Sequence, residues 1–282
     1  DAEFILKNKD KFEQDILLFF QTIDITKAYT NDLKRLGGDI FIDGSFASKT
    51  AAISKPYKRE KNNFGKLYYN QHELNAFAEE AVKNDIQIAF HAIGDRAIEQ
   101  ALNAIEFAQK KKNRRSFRNR IEHFELATDA QIKKAKKLNI ILSMQPIFET
   151  IFGQKDGLYE KRLIKSYSDN SNRFKKIIDE GILIIGGSDS DVCAINPILG
   201  IYSAVNHPKE KSSVSVLEAV NMFTVNAAYA SFEENEKGSI KNGKRADMVI
   251  IDKNIFQMDK KNIKDAKVEM TIKDGNIIYE NF

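Results

Sequence analysis

From residue 37 onward, short β-branched apolar runs alternate with stretches in which apolar positions recur every three to four residues. The runs DIFID (39–43), IQIAFH (86–91), NRIEH (119–123), IILSMQ (140–145) and ILIIGGSD (182–189) are bounded by turn residues or charge. They are short and rich in Ile, which restricts χ1 and favours the pleated surface, so the pattern predicts strands. Between them, HELNAFAEEAVKN (72–84) puts Leu74, Phe77, Ala78 and Ala81 on one face. IEQALNAIEFAQKK (98–111) repeats this with Ile98, Leu102, Ile105 and either Phe107 or Ala108, and DAQIKKAKKL (129–138) follows Thr128 as N-cap.

Strand–helix alternation implies a parallel sheet with right-handed crossovers, hence a β/α barrel or a doubly wound sheet. Residues 9–38 read as helix with a less certain middle and no strand. After a helix over 215–231 the character changes. GSIKNGKRADMVIID (238–252), KVEMTIKDG (267–275) and NIIYEN (276–281) read as strands, with DGN (274–276) as a hairpin turn. The expected division is a domain over 1–236 and a small β unit over 237–282.

The 282 residues suffice for a substantial core. Basic residues exceed acidic ones by only 44 − 40 = 4. Runs such as KKKNRR (110–115) and IKKAKK (132–137) lack interleaved aromatics, so they read as solvated helix faces, and no nucleic-acid partner is expected. No run approaches a bilayer span, so no membrane partner is expected either. The start has no leader-like pattern. One cysteine, Cys193, forbids an intramolecular disulfide and fits a reducing, cytoplasmic setting. The chain opens on Asp1 rather than Met, which suggests a truncated form.

Four histidines carry most of the candidate chemistry: His72, His91, His123 and His207. His91 and His123 each close a predicted strand, and GGSDSD places Asp189 at the end of another. In a β/α barrel such strand ends face the active site. Two imidazoles and a carboxylate suit zinc or a similar divalent ion. Singly, each could be an ordinary hydrogen-bonded strand-end residue. His72 and His207 read as exposed.

HAIGDRAIEQAL (91–102), RIEHFEL (120–126), SMQPIF (143–148), GGSDSDV (186–192) and FTVNAAYA (223–230) resemble the YtcJ-like branch of the amidohydrolase superfamily. So do DGSFASKTAA (43–52) and GSIKNGKRADMVIID (238–252), all in the family's order. The resemblance implies a distorted TIM barrel, here incomplete, with a small β domain. It implies His91 and His123 as metal ligands and Asp189 as ligand and proton shuttle. The reaction implied is hydrolysis of an amide-like C–N bond of a small molecule by a metal-activated water. One divalent ion, zinc, is the expected cofactor.

The sequence departs from that pattern twice. The family's first-strand His-x-His pair is absent from the chain, and Asp39 stands where many members carry a lysine that bridges two metals. Asp39 is open as ligand, as support to a ligand, or as a polar residue; a carbamate-bridged binuclear centre there is excluded. Asp43 and Ser45, after their strand, read as substrate contacts or a tight turn, and Gln145 reads as reaching the pocket. Gly94 and Asp95 shape and cap the next helix. With so short a ligand set, this chain is expected to be metal-free or weakly loaded. The alternatives are a non-catalytic, degenerate barrel, or another metal-assisted reaction such as deamination or isomerisation. Oligomeric state is open, a homodimer included.

Overall fold

The computed structural model describes residues 2–31, 33–111 and 117–281; residues 112–115 of the KKKNRR run lie outside them. Helices α1 (Ala2–Asn8) and α2 (Thr26–Thr30) lead to strand β1 (Arg35–Phe41). Then come α3 (Gln71–Lys83), β2 (Gln87–Ala92), α4 (Asp95–Lys111), β3 (Arg120–His123), α5 (Asp129–Lys137) and β4 (Ile141–Met144). The chain continues through α6 (Ile147–Ile151), α7 (Leu158–Arg162), α8 (Lys165–Ser168), α9 (Phe174–Asp179) and β5 (Ile184–Gly186). Helices α10 (Pro197–Val205), α11 (Val216–Phe223) and α12 (Val225–Ala230) precede β6 (Met248–Ile251), β7 (Val268–Lys273) and β8 (Asn276–Glu280). This is an α/β chain with a parallel sheet, helices and a small antiparallel sheet.

Two compact units are formed: Asp1–Met144 with Phe152–Leu183, and Gln145–Ile151 with Ile184–Phe282. In the first, β1 to β4 lie side by side in chain order, all parallel. Ile88, Phe90, Ile121 and Leu142 are buried from the strands, and Leu74, Ala78, Ile98, Leu102 and Ile105 from the helices. Each such Leu or Ile contributes about 1.5–3 kcal/mol on burial, so the predicted stripes are what hold the helices down. Of the two candidates in α4, Ala108 is buried, while Phe107 carries the Lys111 ammonium over its ring. Capping boxes start α3 (Asn70 with Glu73) and α5 (Thr128 with Gln131), the latter at the expected N-cap.

The helical reading of residues 9–38 is corrected. Most of that stretch is irregular, Phe20 bridges to Leu36, and β1 begins at Arg35. At the end of that stretch Gly37 and Gly38 lie at φ +91° and +57°. A Cβ on Gly37 would overlap the Ala89 carbonyl oxygen. The pair thus permits a bulge between Leu36 and Ile40 where β1 meets β2.

In the second unit, the Phe223 ring sits where Cβ atoms on Gly186 and Gly200 would be, joining β5, α10 and α11. Asn226 donates to the Ile184 carbonyl at 2.8 Å. The long helix expected over 215–231 breaks at Thr224 (φ −129°, ψ −95°), whose hydroxyl donates to the Val220 carbonyl. The strand expected over 182–189 is confined to β5, and that over 238–252 to β6; Gly238 and Gly243, both at φ +86°, turn the chain ahead of β6. Strands β6, β7 and β8 pair antiparallel. Asp274 and Gly275 link β7 to β8 with φ +50° and +81°, the positive pair a tight hairpin needs.

Candidate metal centre

Parallel register brings the imidazoles together. Phe41 on β1 pairs with His91 on β2, and Ala92 beside it pairs with His123, the last residue of β3. The two imidazole centroids are 4.5 Å apart, and both side chains are buried. Strand β3 ends in left-handed backbone, with His123 at φ +71° and Phe124 at +52°. Asp39, on the bulged strand β1, completes the group. Its Oδ1 lies 3.1 Å from His91 Nδ1 and 3.4 Å from His123 Nε2. Among the described residues, Asp39, His91 and His123 are the one group of potential ligands, each offering an atom within 4.8 Å of the others.

These separations suit a divalent ion. Zinc holds nitrogen and carboxylate oxygen at ~2.0–2.2 Å, so two of its tetrahedral ligands stand roughly 3.3–3.6 Å apart. Two nitrogens and an oxygen also form a donor set that zinc accepts. Burial works to raise the pKa of Asp39. Hydrogen bonds from His123 and His91, with the charge of both rings, outweigh it and hold the carboxyl well below the usual range. The carboxylate is therefore ionised and ready to ligate. His91 turns Nδ1 to Asp39, while its Nε2 lies 3.2 Å from the Gly44 carbonyl oxygen and 3.5 Å from Asp43 Oδ1.

The chain matches the model of the amidohydrolase family over residues 17–279. It belongs to that family. It is 30% identical over 251 residues to YtcJ of Bacillus subtilis (strain 168), covering 86% of this chain and 46% of that protein. N-substituted formamide deformylase of Arthrobacter pascens is 27% identical over 253 residues, 86% of this chain and 45% of the relative. The crystal structure of an uncharacterized metal-dependent hydrolase from Pyrococcus furiosus superposes with a TM-score of 0.73 at 28% identity. That match spans 87% of this chain and 52% of the other. The chain thus spans about half the length of the relatives it matches.

Within this amidohydrolase chain, the other expected site residues fall as follows. Asp189 follows β5 in the second unit, at φ +52°. Gln145 is buried in the same unit, its Nε2 facing Gly187. Ser45 is partly exposed: its amide donates to Thr50 Oγ1 at 3.2 Å, and its hydroxyl shares a hydrogen bond with Ser48 at 3.0 Å. Asp43 is fully buried, and burial pushes its pKa up to about 6 against the lowering charge of His91 and backbone N–H groups. Gly94 lies against Ala52, as a shaping residue should. Asp95 opens α4, and its carboxylate accepts from the Ser54 amide and the Tyr167 hydroxyl.

Two features escaped the sequence reading. Arg120 makes a double hydrogen bond to Glu122, at 2.9 Å each, and reaches Ser143 on the neighbouring strand. The i, i+2 spacing within a strand puts both on one face, and that was the available signal. Glu125, buried, accepts from the Tyr159 hydroxyl at 2.5 Å, and its carbonyl accepts from the Asn172 amide at 2.8 Å. Nothing local marks that pairing. His72 is exposed as expected, whereas His207 is not: it is buried with its Nε2 facing the Glu149 carboxylate at 3.6 Å.

Proposed function

We propose that the protein containing this chain is a metal-dependent hydrolase of an amide-like C–N bond in a small molecule, with one zinc ion held by Asp39, His91 and His123. The observation that carries this reading is the convergence of those three side chains on neighbouring strands, at separations a single ion fits. Such an ion polarises a carbonyl and lowers the pKa of water toward neutrality. Asp39 supplies the anionic ligand. The two imidazoles ligate as neutral groups, which requires each to keep its proton on the nitrogen turned away from the ion. Asp189, after β5, is the proposed proton carrier, taking a proton from water and returning it to the leaving nitrogen. The name of the Arthrobacter relative supports N-substituted formamides as the first substrates to try.

The strand–helix order supports a β/α barrel for the whole protein. No described helix is long and apolar enough to cross a membrane; a cytoplasmic setting is proposed from the single cysteine alone. The test is zinc analysis after dialysis, with amine release from N-substituted formamides assayed in the longer protein. Stoichiometric zinc lost in Asp39→Ala, His91→Ala and His123→Ala supports the site. Wild-type protein that takes up no ion rejects it, and zinc-loaded protein inert toward every amide-like substrate rejects the C–N assignment.

A further inference from the structure

The three ligand candidates are unequally open to solvent. The side chains of His91 and His123 are 6% and 4% exposed, and that of Asp39 is 38% exposed. Beside them on the same face stands Phe41, the last residue of β1. It is 48% exposed, although Ile40 and Ile42 on either side of it are buried. Its register partner is His91, and the two rings meet edge to face with centroids 4.8 Å apart. Of these four residues, a molecule approaching the ion position from solvent meets Asp39 and Phe41 first.

Charge on that face is already paired. Glu122 is the register partner of His91 on the opposite side, and Arg120, two residues before Glu122, shares its face. Arg120 is doubly hydrogen-bonded to Glu122 at 2.9 Å, and its guanidinium lies over the Phe19 ring at 4.9 Å. An anionic substituent thus finds Arg120 already bonded, and Asp39 repels it. A cationic substituent is repelled by the ion itself. What the face offers beside the ion is an aromatic ring.

We infer that Phe41 is a specificity-determining residue of this site, giving it a preference for substrates with a neutral, apolar substituent next to the scissile C–N bond. The inference rests on the hydrolase reading above and deepens it. Hydrolysis adds the hydroxyl of water to the carbonyl carbon and its proton to the departing nitrogen, so the substituent takes no part in bond breaking. Its contribution is binding. Packing on Phe41 removes apolar surface from water on both partners and holds the carbonyl against the ion. A methylene gained or lost in an apolar pocket changes the rate roughly 10–200-fold. Phe41 is open on one side, so its effect belongs at the lower end. The competing role is packing alone, in which Phe41 only braces the His91 ring and Phe41→Ala acts on every substrate alike.

Two measurements test this. The first needs no metal. Cyclohexanol titrated into the metal-free chain should shift the NMR signals of the Phe41 ring and of the carbon-bound protons of His91, while methanol should not. Phe41→Ala should lose the effect at His91. Wild-type signals that ignore cyclohexanol overturn the inference, whether or not zinc binds and whether or not any variant folds. The second reads turnover in the longer protein loaded with zinc. It compares kcat/KM for N-cyclohexylformamide with N-methylformamide, and for the N-methylamides of cyclohexanecarboxylic and acetic acids. In at least one pair the wild-type ratio should favour the larger substrate. Phe41→Ala should lower that ratio about tenfold through KM, and Phe41→Leu should restore most of it. A ratio that Phe41→Ala leaves unchanged would make Phe41 a brace for His91 and overturn the inference, as would a wild-type preference for the smaller substrate in both pairs. Wild-type protein inert toward all four amides counts against the C–N reading instead, and the cyclohexanol titration still decides the role of Phe41.

Discussion

His123 and Phe124 adopt the left-handed backbone region that side chains with a Cβ seldom occupy, and they do so where β3 delivers an imidazole to the candidate ion site. Outside glycine this conformation costs about 1–2 kcal/mol. In chelator, His123→Gly should therefore be more stable than His123→Ala by about 1 kcal/mol, while both lose zinc equally. Urea unfolding of the two variants checks this, and equal midpoints would show that the backbone there carries no strain. At Gly94 the opposite holds, since no room exists for a methyl group beside the Ala52 carbonyl. Gly94→Ala should cost roughly 1–3 kcal/mol by overpacking. It should weaken zinc binding as well, because it displaces an amide that Asp43 holds. A stable Gly94→Ala chain with normal zinc uptake would contradict both expectations.

Among the elements, α6 is joined to the segment after α10 by buried polar groups rather than by apolar contact alone. Glu149 and His207 both have fully buried side chains, and Lys209 Nζ lies 3.5 Å from the same carboxylate oxygen. The Lys209 amide donates to His207 Nδ1 at 3.0 Å, so the ring proton sits on Nε2, toward Glu149. Removing one member leaves the others buried beside a cavity, so Glu149→Ala should destabilise the chain by about 3 kcal/mol or more. Thermal unfolding measures it, with Glu149→Gln, which keeps the volume, expected to lose less. At the start of α3 the reciprocal hydrogen bonds of Asn70 and Glu73 satisfy two end amides. Asn70→Ala should cost about 1 kcal/mol, a change that circular dichroism melting can resolve.

At the scale of the whole chain, the three ligand candidates all belong to the first compact unit. Ion binding at the proposed site would therefore be coupled directly to the folding of that unit. At a free zinc concentration about a hundredfold above Kd, the folded state gains about 2.7 kcal/mol. Calorimetry should show a zinc-dependent rise in Tm that chelator reverses and that Asp39→Ala abolishes. A transition indifferent to zinc would remove the coupling and the site with it.

What the sequence determined by itself was periodic. Alternating Ile-rich runs and three-to-four-residue apolar stripes specified the parallel strands and the buried faces of α3 and α4, because burial acts on each element through its own repeat. The motifs around His91 and His123 placed both imidazoles at strand ends, and parallel register then brought them together. Tertiary structure decided the rest. Asp39 joins the imidazoles through a bulge at Gly37, and what required the bulge was close approach to β2. Asp43 was open as a substrate contact or part of a tight turn, and it lies buried because the nearby turn at 50–52 and the remote exit of β2 both donate amides to its carboxylate. His207 looked like an exposed loop residue until folding set Glu149 against it. In each case at least one deciding partner is remote along the chain, Ala89 for the bulge, Gly94 for Asp43 and Glu149 for His207, and local periodicity holds no record of it.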